Sequence, residues 1–228
     1  QFYDNEQELG IGIKESEVPR DQIFITTKIW PTFHRKEAFA QAVDECLERL
    51  QLSEVDLLLI HWPSKDVPLA ETVEALMRAQ EVGKTRLIGV SNFNTSMIRE
   101  TVAMGANIFV NQVEYHPFLD QFILKSLMDE HGIHLTAYSP IARGDVIGNP
   151  VIQPIAQRHG KNEVQVALRL LLDQERVLAI PRSAKEKNVA SNLEIFDFEL
   201  SEEETQAINQ LRTPEGRLVN SAFSPAWD

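Results

Sequence analysis

Three side chains have complementary chemistry: Tyr3, Lys28 and His61. A phenol can give a proton to a developing alkoxide. Its ordinary pKa of about 10 makes it a poor acid until a nearby cation favours the phenolate, and the Lys28 ammonium is such a cation. A neutral imidazole, His61, can orient a carbonyl oxygen without a change of charge. Together the three suit proton delivery to a carbonyl that receives a hydride. Taken singly each has a plainer reading, Tyr3 as a surface tyrosine and His61 as a satisfied core histidine. Lys28 is harder to explain away, because a lysine directly after a buried-looking strand is uncommon unless it is paired or sits at an active-site mouth.

These positions presuppose elements that can hold them. Short β-branched or aliphatic runs at 23–27, 55–60, 87–90, 108–113, 133–138 and 177–180 read as buried strands. Between them, 36–50, 69–81, 96–103, 122–131 and 163–173 have helical periodicity. Strand alternating with helix indicates a parallel sheet. An open doubly wound sheet normally carries G-x-G-x-x-G after its first strand, whereas Gly10-Ile11-Gly12 lies in a helical stretch and lacks the third glycine. Lys28, His61, Ser91, Asn92, Gln112, Ser139 and Arg182 all fall at or just beyond strand C-terminal ends, where barrels assemble their sites. A single (β/α)8 TIM-barrel domain over residues 1–228 is therefore predicted. Ser201 and Glu204 have capping-box spacing ahead of a helix through Leu211, and 213–228 reads as a loop laid over the barrel mouth.

Composition narrows the partners. A net charge of −12 argues against a nucleic-acid surface, and no apolar run is long enough to span a membrane. The single cysteine, Cys46, lies on the apolar stripe Phe39, Val43, Leu47, Leu50, so burial is expected. One cysteine allows no intramolecular disulfide and is compatible with a reducing cytoplasm. A cytoplasmic monomer acting on a small molecule is the expectation. Arg182 and Lys185, after a strand and before a helix start, form a local phosphate-binding candidate, with Lys187 read as a solvated charge. Glu114 and His116, with His61, raise a metal-dependent hydrolase as a distant alternative. No His-x-His pair marks a first strand, so no metal is assigned.

The segments Thr26-Thr27-Lys28-Ile29-Trp30-Pro31, Leu59-Ile60-His61-Trp62-Pro63, Ile88-Gly89-Val90-Ser91-Asn92-Phe93, Asn111-Gln112-Val113-Glu114-Tyr115-His116-Pro117 and Ile180-Pro181-Arg182-Ser183 resemble the successive signatures of the aldo-keto reductases. Tyr3-Asp4-Asn5-Glu6 and the ending 218–228 bring the likeness nearest to the bacterial 2,5-diketo-D-gluconate reductases. The resemblance implies Tyr3 as general acid, Lys28 as its pKa-lowering neighbour and His61 as the orienting group. It implies NADPH as cofactor, with Ser91, Asn92 and Gln112 on the carboxamide and Tyr138 stacked on the nicotinamide. Ser139 would lie along the pyrophosphate, Arg182, Ser183 and Lys185 at the 2′-phosphate, and Asn192 near the adenine. Asn188 and Ser191 depart from the arginine and glutamate common at those positions. Trp30, Trp62 and Trp227 would line a pocket for a carbonyl substrate such as a sugar-derived diketo acid, a methylglyoxal-like compound or an aromatic aldehyde; Phe93 suits pocket or packing. A cofactor-sensing subunit with little turnover is the alternative reading.

The family pattern D-T-A-x-x-Y places an aspartate upstream of Gln1, where the first two barrel strands would also lie. Closure of eight strands then implies roughly 45–50 further N-terminal residues. A chain starting at Gln1 is expected to show Tyr3 displaced and a gap between the strand carrying Lys28 and the strand ending at Pro181.

Overall fold

Residues Val55–Ile60 form strand β2, and every one of them is buried, as a strand covered on both faces requires. The computed structural model describes all of Gln1–Asp228. The other strands are β1 (Thr26–Ile29), β3 (Thr85–Ser91), β4 (Val110–Glu114), β5 (His134–Tyr138) and β6 (Val177–Ala179). They alternate with nine helices: α1 (Glu6–Glu15), α2 (Lys36–Leu50), α3 (Leu69–Glu81), α4 (Thr95–Ala103), α5 (Phe122–Glu130), α6 (Ile152–Arg158), α7 (Glu163–Leu172), α8 (Glu186–Leu193) and α9 (Glu202–Asn209). Strand order follows chain order, β1 to β6, and the parallel register sets Lys28 against Leu59 and Ile29 against Ile60. This is the α/β alternation of a (β/α)8 barrel with six strands in place of eight. No helix is long and apolar enough to cross a membrane.

Strand β1 and helix α6 depart from the sequence reading, and several other element ends shift by one or two residues. β1 begins at Thr26 because the Ile25 N–H is taken by the Asp56 carboxylate (2.8 Å), which also pairs with Arg20 and Arg86. Lys28 therefore lies inside the strand. Helix α6 was absent from the reading because Pro154 interrupts the segment. Proline is tolerated in a first turn, where its missing N–H would have no intrahelical partner. The capping box of α9 is present as expected, Ser201 Oγ accepting from the Glu204 N–H and Glu204 accepting from the Ser201 N–H.

The chain forms two compact units, Gln1–Asn111 with Ala222–Asp228, and Gln112–Ser221. In the first, the α2 stripe Phe39, Val43, Cys46, Leu47 and Leu50 is buried. In the second, Val146, Ile152, Ile155, Val166, Leu170 and Ile208 form one cluster against Phe198 and Leu211. Each fully buried aliphatic or aromatic side chain contributes about 1.5–3 kcal/mol relative to exposure.

Helix α1 meets the C-terminal turn of α2 through Gly10, where an added Cβ would lie 2.6 Å from the Leu50 carbonyl oxygen and 2.9 Å from that of Arg49. Backbone cannot yield as a flexible side chain can. Gly12, in the same helix, faces open space. Gly10→Ala is expected to destabilise the protein by about 1–3 kcal/mol, whereas Gly12→Ala should stabilise it by about 0.5–1 kcal/mol. Urea unfolding of the two variants checks this, and equal effects would refute the close contact.

Candidate active site

Strand β1 alternates, with Thr27 and Ile29 buried and Thr26 and Lys28 partly covered. Neighbouring side chains leave a strand on alternate faces, and both Thr27 and Lys28 border the cleft at the start of β1. The Lys28 Nζ lies 5.4 Å from the centre of the Tyr3 ring. The Tyr3 and His61 ring centres are 5.7 Å apart. His61 directly follows β2, its backbone N–H donating to the Ile29 carbonyl (3.0 Å). The three residues border one cleft of about 200 Å³, together with Phe2, Asn5, Glu6 and Thr26. Tyr3, half-exposed at 59%, is thus beside both partners.

Helix α1 begins three residues beyond Tyr3, at Glu6. The Glu6 carboxylate, buried, accepts from Thr27 Oγ1 (2.6 Å) and from Arg49 Nε (2.8 Å). Burial alone would push this acid up. Hydrogen bonds from Thr27, Cys46 and Arg49 outweigh that effect and hold it at about 2. Helix α1 is thereby tied to β1 and α2 by charge-assisted bonds.

The electrostatics of Lys28 and His61 follow from their burial. Burial pushes the Lys28 ammonium down from its ordinary value. Burial, and then the positive charge of Lys28, push His61 down to about 3. Its imidazole is neutral at physiological pH, as a hydrogen-bonding group for a carbonyl oxygen needs to be.

The aromatic candidates divide into two groups within the first unit. Trp30 packs edge-on to His61 (5.0 Å between ring centres) and to Phe223 (5.2 Å), and stacks on Phe2 (4.4 Å). Trp62 meets Trp227 at 6.4 Å. Phe93 is fully buried, which decides for packing. Phe2 and Phe223 had no role assigned from sequence, and Glu6 entered only as the last residue of Tyr3-Asp4-Asn5-Glu6: an exposed phenylalanine beside a tyrosine carries no local signal. Residues 222–228 are clasped by Lys65 Nζ on the Ala222 carbonyl (2.7 Å), Asn94 Nδ2 on the Ala226 carbonyl (2.8 Å) and Asp228 on the Thr95 N–H (3.0 Å).

Of the cofactor candidates, Ser91 and Asn92 are buried at the end of β3. Asn92 adopts a left-handed backbone (φ 62°) and its Nδ2 donates to the His61 carbonyl and to Ser91 Oγ, both at 3.0 Å. Such a conformation in a non-glycine residue persists only when its surroundings fix it, and clusters at functional sites. Asn111 braces this turn, bonding the Phe93 carbonyl (2.9 Å). In the second unit, Gln112 is buried within β4, Tyr138 ends β5, and Ser139 follows in a left-handed conformation (φ 49°). Arg182 and Lys185 are exposed ahead of α8, where Ser183 Oγ accepts the Lys185 N–H (3.1 Å). Asn192 lies near the end of α8, and Ser191 is bonded by Asn162 and Gln165 of the α7 start. Glu114 and His116 bond each other (3.0 Å), and the Glu114 carboxylate also receives the Leu218 and Val219 N–H groups.

The sequence matches the Aldo/keto reductase family over residues 1–149 and 145–213. It is 45% identical over 216 residues to the glyoxal reductase of Bacillus subtilis (strain 168), covering 94% of this chain and 77% of the relative. A solved structure provisionally described as a 2,5-diketo-D-gluconic acid reductase B superposes with a TM-score of 0.98 at 44% identity, covering 100% of this chain and 82% of the other. The aldo-keto reductase of Bombyx mori in complex with NADP superposes with a TM-score of 0.88 at 32% identity, covering 96% and 78%. The chain belongs to the aldo/keto reductase family, oxidoreductases that act on carbonyl groups.

Because His61 resists a proton that the unfolded chain accepts at its ordinary 6.5, its burial stabilises the fold fully above that value. The contribution is lost as pH falls toward about 3. Ring chemical shifts of His61 followed by NMR should show the neutral form throughout about pH 5–8. A titration midpoint within that window would refute the burial of His61.

Proposed function

We propose that this protein reduces aldehydes or ketones to alcohols with NADPH, Tyr3 acting as general acid. The observation that carries the reading is the meeting of Tyr3, Lys28 and the neutral His61 at one cleft. As the carbonyl oxygen gains negative charge, the Tyr3 hydroxyl donates its proton to it. The Lys28 ammonium favours the phenolate that remains, and the His61 N–H holds the oxygen in line. NADPH, when bound, supplies the hydride that goes to the carbonyl carbon.

The side chains present suit that cofactor. Ser91, Asn92 and Gln112 offer hydroxyl and amide groups for a carboxamide, and Tyr138 offers a ring face for the nicotinamide. Ser139 suits the pyrophosphate and Asn192 the adenine. Arg182, Ser183 and Lys185 suit the 2′-phosphate, an anion that an acidic chain binds only through such a local cluster. Trp30, Trp62 and Trp227 would line the substrate pocket, with Phe2 and Phe223 completing the wall beside Trp30. Similarity to a glyoxal reductase and to a diketogluconic acid reductase supports small dicarbonyl compounds and sugar-derived diketo acids as substrates, with aromatic aldehydes as a further class. Since the family match runs across both compact units, we take residues 1–228 as one reductase domain.

Full-length enzyme given NADPH and a panel of such carbonyls should consume the reduced cofactor. Tight cofactor binding with no turnover on any of them would favour a sensing role. Tyr3→Phe should lower kcat by at least about a hundredfold while leaving NADPH affinity nearly unchanged, and Lys28→Met should also cripple turnover. A Tyr3→Phe enzyme with most of its kcat would assign the proton to another group. Arg182→Ala should weaken NADPH more than NADH by about 1.5–3 kcal/mol. Equal losses for both would remove Arg182 from the phosphate.

A further inference from the structure

We propose that Glu6 is a positioning residue for the proton-donating pair, holding the helix that directly follows Tyr3 against the strand that carries Lys28 by way of Thr27. The inference rests on the reading of Tyr3 as the acid. Thr27 and Lys28 are consecutive on β1 and their side chains leave it on alternate faces. Toward α1, Thr27 Oγ1 donates to Glu6 Oε1 at 2.6 Å. Toward the cleft, Lys28 Nζ sits over the Tyr3 ring. Tyr3 in turn leads into the first turn of α1, three residues ahead of Glu6. One hydrogen bond therefore links the backbone that bears the ammonium to the backbone that bears the phenol.

Two further contacts stop α1 from sliding or turning about that bond. Glu6 Oε2 accepts from Arg49 Nε (2.8 Å), and one turn on, Gly10 abuts the Leu50 and Arg49 carbonyls with no room for a Cβ. An apolar contact in place of Glu6 could be equally stable, since burying an ion pair costs desolvation energy. Apolar contact is non-directional, however, and tolerates small shifts that a short charge-assisted bond does not. The distinction matters because cation–phenolate attraction varies with separation, and a misplacement of an ångström is costly in catalysis. The polar and charged groups facing Glu6 are Thr27 from β1, Arg49 and Cys46 from α2, and the backbone nitrogen of Gln1. Glu45 stands behind Arg49 at 3.8 Å. Those beside Tyr3 are Lys28 and His61.

Replacing Glu6 itself would leave Arg49 without its main partner and endanger the fold, so the decisive variants are Thr27→Val and Thr27→Ser in the full-length enzyme. Thr27→Val removes the donor at constant shape and charge. Its kcat should fall about tenfold, and the alkaline limb of kcat, where the acid is lost, should move up by about one pH unit as the ammonium recedes from the phenol. KM for NADPH should stay at its wild-type value, and Thr27→Ser should restore both kcat and the limb. A purely structural role would lower the melting temperature and the folded fraction and leave the limb in place. Thr27→Val with wild-type kcat per folded molecule and an unmoved limb would overturn the proposal alone. Tyr3→Phe, assayed alongside, separates the two ideas: if it keeps the limb and most of kcat, the acid reading fails and this proposal fails with it.

Discussion

A buried carboxylate sits where three elements meet, and the geometry of the cleft depends on it. In helix α1, Glu6 and Gly10 are buried. Glu6 makes directional bonds to Thr27 and Arg49, and the missing side chain of Gly10 lets the helix approach the end of α2 closely. Desolvating the carboxylate is unfavourable. Its hydrogen bonds offset that cost strongly enough for the group to remain ionised.

With α1 in place, the two basic groups of the cleft lie close together, both largely covered, and cannot both carry charge cheaply. Burial disfavours the charged form of each, and the positive field of Lys28 further disfavours a proton on His61. The imidazole gives way because its ordinary pKa is far below that of the lysine. The outcome is one cation and one neutral hydrogen-bonding ring beside the same phenol. That division arises from burial and from the proximity of the two groups.

The second unit repeats the device. Glu114 is fully buried, yet it receives His116 Nε2 (3.0 Å) and the Leu218 and Val219 N–H groups (2.7 and 2.9 Å). Burial pushes this acid up, but these bonds prevail and its pKa is lowered. Around the same strap, Thr213 exchanges backbone bonds with Phe118 and Asp120, and Gly216 touches the Phe118 carbonyl where a Cβ would collide. The tail is therefore ordered by polar contacts with specific backbone atoms. It lacks the periodic apolar stripe that would have announced it.

The amino-acid pattern by itself determined the alternating elements and the class of site. β2, α2 and α3 occupy the residues that periodicity assigns to them, because an unbroken apolar run or a 3.6-residue stripe has one good way to be buried. Cys46 and the Ser201 capping box are equally local features. Tyr3, Lys28 and His61 were recognisable from residue type and motif order, since their chemistry and neighbours travel with them. Tertiary structure alone decided the remainder. Asp56, thirty-one positions from Ile25, delays the start of β1. Glu6 and Thr27, twenty-one apart, join α1 to β1. Phe2 and Phe223 acquire meaning only by packing on Trp30. Each of these depends on contact between distant residues, and a pairing of that kind leaves no periodicity or spacing in a single chain from which it could be read.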